Sequence, residues 1–116
     1  MKIVTRQQLM AMPAGVLFAE ARSPFVYGDL QIYGGKFGDN DFLTRSLVHE
    51  SEDSGEFMDR GTEMWEHGTS YPVEAHYGRD GVFDDTIRYV VWEAADLKSI
   101  LADIYPAAIR NEETQQ

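Results

Sequence analysis

The residues of this chain that could do chemistry are its histidines and acids, which are concentrated between positions 49 and 68. This stretch, HESEDSGEFMDRGTEMWEHG, holds seven acidic residues and two of the three histidines. Two histidines and a carboxylate can bind zinc. A helical zinc motif places two histidines four residues apart with a glutamate between them, whereas His67 and His76 are nine residues apart across a predicted helix end. The spacing therefore predicts neither a metal site nor a cofactor.

Two other acidic runs, GDNDF at 38–42 and RDGVFDD at 79–85, offer oxygen ligands of the kind that calcium prefers. An EF-hand loop needs an acid at its fifth position and glycine at its sixth. Counted from Asp39, these positions are Leu43 and Thr44. Both runs are typical of turns instead.

Motifs for catalysis are missing from the sequence. It contains no G-x-S-x-G segment and no glycine-rich loop followed by a lysine for phosphate binding. It also has no cysteine, which excludes thiol nucleophiles, thiolate zinc sites and disulfides. We therefore expect a protein that is not an enzyme.

The net charge of −10, from 20 acidic and 10 basic residues, narrows the choice of partner. Nucleic acids and anionic membrane surfaces attract proteins through lysine and arginine, so direct binding to either is not expected. The chain has no secretory signal and no apolar run of about 20 residues. These features predict a soluble cytoplasmic protein.

The acidic stretch itself predicts a helix from 54 to 67 that ends at Gly68. Its apolar residues recur on one face, which we expect to dock on the domain core. That face comprises Phe57, Met58, Gly61, Met64, Trp65 and Gly68.

A stripe of acids lies opposite the apolar face, with spacings of 4, 3, 4 and 3 residues: Glu52, Glu56, Asp59, Glu63 and Glu66. Glu52 precedes the helix, and Arg60 is placed to pair with Glu56. The stripe carries one charge per ~5 Å, against one per ~1.7 Å in duplex DNA, so by itself it is too sparse to imitate DNA. A solvated face, a docking surface for a basic protein and nucleic-acid mimicry remain open interpretations. Tyr71, beside a predicted edge segment, is a further candidate contact.

The remaining elements predict a single α+β domain over residues 1–110, with a polar tail at 111–116. We expect a mostly antiparallel sheet of four to five strands packed with two to three helices. The predicted helices besides 54–67 are a short one capped by Thr5 and stopped at 13–15, and one at 94–105. The predicted strands lie at 16–21, 41–49 and 86–92, with a type II′ hairpin over 24–33 that turns at Gly28 and Asp29 and an extended edge at 70–78. Loops are predicted at 34–35 and 38–40, and a turn at 79–81.

The segments LMAMPAGVLFAE, GDLQIY, RDGVFDD and YVVWEAADLKSIL resemble, in this order, small uncharacterised accessory proteins of bacteriophages and prophages. In those proteins an LPxGTVF-like segment is joined to a later RDGxFD-like segment, and Val16 and Leu17 stand here where threonine and valine are expected. The resemblance implies no catalytic residues. It implies a phage accessory protein in the host cytoplasm, and small acidic phage proteins are often inhibitors of host defence proteins.

These observations predict a phage-type accessory protein that binds a host or phage protein with a basic surface, and one candidate role is to inhibit a host defence or nucleic-acid-binding protein. The predicted contacts are Glu52, Glu56, Asp59, Glu63, Glu66 and Tyr71. A small enzyme or ligand-binding domain, with a pocket of aromatic residues and His49 or His76, is one alternative. A virion or assembly component is another.

Overall fold

The computed structural model describes residues 1–47, 54–73 and 76–115, with side chains described for all of these except Ser54 and residues 105–115. The predictions made for His49 and Glu52 lie outside these residues. The elements in chain order are β1 (Lys2–Thr5), α1 (Arg6–Met10), β2 (Leu17–Ser23), β3 (Val26–Tyr27), β4 (Gln31–Phe37), β5 (Asp41–Ser46), α2 (Ser54–His67), β6 (Gly78–Arg79), β7 (Arg88–Val91) and α3 (Ala94–Gln115).

The described strands form one antiparallel sheet in the order β1-β7-β2-β4-β5-β6, with β3 beside β2. The α+β class and the mostly antiparallel sheet are confirmed. The sheet has seven strands rather than four or five, because β3 and β6 are two-residue strands and β1 was not predicted. β1 is only four residues long and exists through its pairing with β7, from Lys2 opposite Val91 to Thr5 opposite Arg88.

The hairpin predicted over 24–33 is wrong in its pairing. The chain turns earlier, so that Val26 pairs with Ser23 in β2, while β4 pairs with β2 and β5. The hydroxyl of Ser23 accepts a hydrogen bond from the N–H of Val26 at 3.1 Å, which closes this earlier turn. Gly28 instead donates its N–H to the carbonyl of Glu20 at 2.9 Å and lacks the positive φ that a type II′ turn needs.

The loop predicted at 34–35 is also wrong, because both glycines lie inside β4. Gly35 has a φ of +106°, and the register of β4 against β5 shifts between Tyr33 and Gly35. A glycine bulge of this kind bends a strand without ending it. The loop predicted at 38–40 is confirmed as the turn between β4 and β5.

The core is an aromatic group on the sheet, closed by α1. The rings of Phe18, Tyr33, Phe42 and Tyr89 have centroids 5.6 to 6.0 Å apart, mostly edge to face, a favoured arrangement for aromatic pairs. α1 is capped by Thr5, as predicted, through reciprocal hydrogen bonds with Gln8. The buried core cluster comprises Val4, Leu9, Met10, Phe18, Tyr33, Phe42, Tyr89 and Val91.

The two longer helices begin where the sequence predicts. α2 covers 54–67 and ends at Gly68, whose φ is +64° and whose N–H donates to the carbonyl of Met64 at 3.1 Å, as in a left-handed helix cap. α3 continues to Gln115 instead of stopping at 105, so the tail predicted at 111–116 is helical through Gln115. Pro106 disfavours the helix by its missing N–H donor and its ring, but good helix formers follow it, among them Ala107, Ala108 and Arg110.

Candidate protein-binding surface

The apolar face of α2 is exposed, contrary to the prediction that it docks on the core. No residue from Gly55 to His67 is buried. Trp65 is 90% exposed and Met58 is 68% exposed. Among the described residues, the aromatic core on the sheet is closed by α1 and contains no side chain from α2, so the core does not need this face of the helix.

Gly61 lies in the middle of the apolar face. A Cβ atom built there would meet nothing within 4 Å, and its φ is not in the left-handed region. The fold described here therefore does not require glycine at this position. Glycine inside a helix costs about 1 kcal/mol of stability relative to alanine. In return, its missing side chain leaves a shallow gap where another element could approach the helix closely.

The acidic face of α2 lies on the opposite side, because its members are displaced by about half a turn from the apolar residues. Glu56 pairs with Arg60, as the sequence predicted. Glu63 accepts a hydrogen bond from the hydroxyl of Thr69 at 3.4 Å. Such exposed pairs contribute only about 0–1 kcal/mol each, so the acids are available for a partner at little cost.

Tyr71 contacts α2 through Arg60. The guanidinium carbon of Arg60 lies 5.5 Å from the centre of the Tyr71 ring, a cation–π distance, and Tyr71 is half-buried. One face of the Tyr71 ring is therefore covered, and its role as a partner contact stays a prediction. The structure brings Glu56 and Tyr71 together through Arg60.

A buried group of charged residues lies elsewhere, and sequence reasoning did not find it. Arg6 is fully buried. It donates hydrogen bonds to the carboxylate of Asp80 at 2.8 Å, the hydroxyl of Tyr89 at 3.2 Å and the carbonyl of Asn40 at 2.9 Å. Its guanidinium carbon also lies 4.9 Å from the centre of the Phe42 ring. Arg6 and Asp80 are 74 positions apart, so no local motif could reveal the pair.

Asp41 completes this buried arginine–aspartate cluster. It is 2% exposed, and one nitrogen of Arg6 lies 3.8 Å from it. Its carboxylate accepts hydrogen bonds from the N–H groups of Phe42 at 2.9 Å and Gly81 at 3.0 Å, and from Nε of Arg79 at 2.9 Å. Burial alone would raise the pKa of Asp41, but these donors outweigh burial and hold its pKa below its ordinary value.

The hydrogen bonds of the cluster clamp neighbouring segments together. Asp41 and Asp80 were both predicted in runs typical of turns, with Asp41 also at the start of a strand, and in the structure they tie residues 79–81 to β5 and α1. Asp84 takes the turn role that was predicted, accepting hydrogen bonds from the N–H and hydroxyl of Thr86, and these donors lower the pKa of Asp84. Among the described residues, no group of three or more histidines and acids is placed to hold a metal.

A mostly apolar cleft of about 330 Å³ lies where β1, the segment after α1 and the start of α3 meet. Its walls include Met12, Val16, Trp92 and Leu97. The ligand-binding alternative expected a pocket that combines aromatic residues with a histidine, and no histidine lines this cleft. His76 is exposed, and His49 lies outside the described residues.

No protein-family model, curated protein or solved structure matches this chain. The likeness to phage accessory proteins therefore stays a prediction from the sequence. Across the part of the chain that the structure describes, every helix is too short or too polar to cross a membrane.

Proposed function

We propose that this protein acts by binding another protein through α2. The observation that carries the proposal is that α2 is exposed on both its apolar and its acidic face. The binding surface, which we name the α2 surface, comprises Glu56, Phe57, Met58, Asp59, Gly61, Glu63, Met64, Trp65, Glu66 and the adjacent Tyr71.

The apolar half of the α2 surface supports a helix-in-groove mode of binding. In that mode the anchors of an amphipathic helix are spaced by three, four and seven residues, and Met58, Gly61 and Trp65 have this spacing. Tryptophan is among the residues that contribute most to binding when they are buried at an interface. The partner would thus offer an apolar groove that receives Trp65.

The acidic half supports a partner with basic residues beside its groove. Glu63 and Glu66 are exposed on the acidic face of α2, and the net charge of the whole chain is −10. Charge complementarity of this kind mainly speeds association and fixes orientation. The phage resemblance favours a host or phage protein as partner, and covering its basic, nucleic-acid-binding surface would inhibit it.

The test measures binding of the whole chain to proteins of a bacterial lysate and then to the purified partner. We expect Trp65→Ala to weaken binding by about 30-fold or more, the range of an interface hot spot. Phe25→Ala is the matched control, because Phe25 is an aromatic residue that is 89% exposed and lies outside α2, in the turn between β2 and β3.

The acidic half is tested separately with Glu63→Lys combined with Glu66→Lys. We expect this variant to associate more slowly and with a weaker dependence on salt, without a lower melting temperature. Asp29→Lys combined with Asp39→Lys, two exposed residues outside α2, controls for the same change of four units in net charge. Binding that neither Trp65→Ala nor the charge reversal weakens would overturn the proposal. So would a control variant that weakens binding as much as these do.

A further inference from the structure

The apolar cleft between β1, the segment after α1 and the start of α3 borders the aromatic core. α1 is only five residues long, and the chain then runs through residues 12–16 before it enters β2. Val91, which is 1% exposed, belongs to the core cluster and also lines the cleft. Met12 and Val16 pack against the same cluster and form a second part of the lining. On this side the cleft is therefore walled by side chains that the core holds in place.

The other side of the cleft is formed by residues around the start of α3. Trp92 directly follows β7, Leu97 lies in the second turn of the helix, and both are only partly buried. Water in a cleft with such walls finds few hydrogen-bond partners, so its displacement by an apolar group is favourable. A concave, mainly apolar space with an aromatic wall is typical of a small-molecule site.

The volume of the cleft sets the size of the molecule that it holds. The cleft measures about 330 Å³, which lies at the lower end of the range for small-molecule sites. A cavity of about 150 Å³ with apolar walls takes up one benzene ring. The cleft therefore has room for roughly two fused rings, or about 12 non-hydrogen atoms.

The charges at the cleft favour an uncharged molecule. The charged residues that the structure describes in its lining are Lys2 and Glu93. Nζ of Lys2 lies 3.9 Å from a carboxylate oxygen of Glu93, so each charge offsets the other. An anion would also be repelled by the net charge of −10, and a cation would compete with Lys2 for Glu93. Neither sign of charge is complementary to this lining.

We propose that this cleft binds an uncharged aromatic molecule of about two fused rings. The indole of Trp92 offers an aromatic surface for the rings, and the thioether of Met12 is a second group that packs well on aromatic carbon. For a molecule with so few atoms, the expected dissociation constant is on the order of 10–100 µM. No lining residue of the cleft belongs to α2, so this inference does not rest on the α2 surface.

The test follows the indole N–H signals of the full chain in a proton–nitrogen correlation NMR spectrum. The chain has two tryptophans, and Trp65→Phe assigns the signal of each. The probes are naphthalenemethanol, naphthoate and naphthylmethylammonium, which share one ring system and differ in charge. We expect naphthalenemethanol to shift the Trp92 signal saturably and the Trp65 signal little. The two charged probes should bind about tenfold more weakly or worse, because the cleft offers neither charge a free partner.

Leu97→Glu tests the location of the site. It replaces an apolar wall by a charge and should weaken binding of naphthalenemethanol by about tenfold or more. Leu101→Glu is the matched control, because Leu101 lies one turn farther along α3, is 54% exposed and does not line the cleft. This control should change the dissociation constant less than about twofold. Circular dichroism checks that both variants keep the fold, and the comparison of the three probes on the wild type needs no variant.

Three results would overturn the inference. One is a Trp92 signal that does not move at about 1 mM naphthalenemethanol. Another is a charged probe that binds as tightly as the neutral one. The third is Leu101→Glu weakening binding as much as Leu97→Glu does.

Discussion

Neutralising Asp41 should destabilise the protein severely, although the sequence predicts only that it stands where a loop meets a strand. In Asp41→Asn the side chain keeps its size, but its NH₂ group must face either the backbone N–H groups of Phe42 and Gly81 or Nε of Arg79, all of which are donors. The fully buried Arg6 also loses one of its two nearby carboxylates.

The expected loss is about 3–5 kcal/mol, the cost of breaking a buried ion pair by removing one partner. For a chain of 116 residues, the entropy of unfolding is roughly 0.24 kcal/mol per kelvin, so the melting temperature should fall by about 12–20 °C. Circular dichroism during thermal and urea denaturation at pH 7 measures both quantities. Asp39→Asn removes the same charge from an exposed neighbour and should stay within about 0.5 kcal/mol of the wild type.

The pH dependence checks the cause of this effect. The pKa of Asp41 in the folded protein lies below its ordinary value of 3.8. Its ionised form therefore stabilises the fold above that pH, and the stabilisation disappears as the pH falls through the folded pKa. The stability difference between wild type and Asp41→Asn should be constant near neutral pH and narrow below about pH 4. A variant within about 1 kcal/mol of the wild type at pH 7 would refute the clamp.

Three further predictions follow from other sites. Gly34→Ala should lower the free energy of unfolding by about 1–3 kcal/mol through overpacking, because its Cβ would lie 2.6 Å from the ring of Tyr77. Gly78→Ala, whose Cβ would have nothing within 4 Å, should be neutral in the same urea titration. Equal effects of the two substitutions would contradict this packing. Gly61→Ala should strengthen α2 by up to about 1 kcal/mol, seen as slower amide exchange in the helix, yet weaken partner binding; tighter binding would show that the gap at Gly61 is not used. Burial raises the pKa of Tyr89 more than its hydrogen bond from Arg6 lowers it, so its neutral form stabilises the fold below about pH 10 and this stabilisation is lost above that pH. In an absorbance titration the Tyr89→Phe variant should lack one late-ionising tyrosine, and ionisation of every tyrosine at its ordinary pKa before unfolding would contradict the prediction.

The sequence correctly predicted those features that depend on a few neighbouring residues. Thr5 caps α1, Gly68 ends α2, and the β-branched run at 86–92 contains β7, as predicted. Each of these features depends on hydrogen bonds or backbone preferences spanning about one turn of chain. The ion pair of Glu56 with Arg60 belongs to the same class, because residues four apart on a helix are neighbours wherever the helix lies.

Only the tertiary structure decided which polar and apolar residues are buried. The amphipathic pattern of α2 marks one apolar side, but whether that side docks depends on whether other elements already fill the core, and here α1 and the sheet do so. Arg6 has the type of a surface residue, yet it is buried because β5 and the 79–81 turn bring Asp41 and Asp80 to it from 35 and 74 positions away. The sequence by itself determined the helices, the main strands and the two-sided pattern of α2. Whether a residue is buried depends on which segments, distant in the sequence, pack against it. The buried clamp and the exposed α2 surface were therefore decided by the tertiary fold alone.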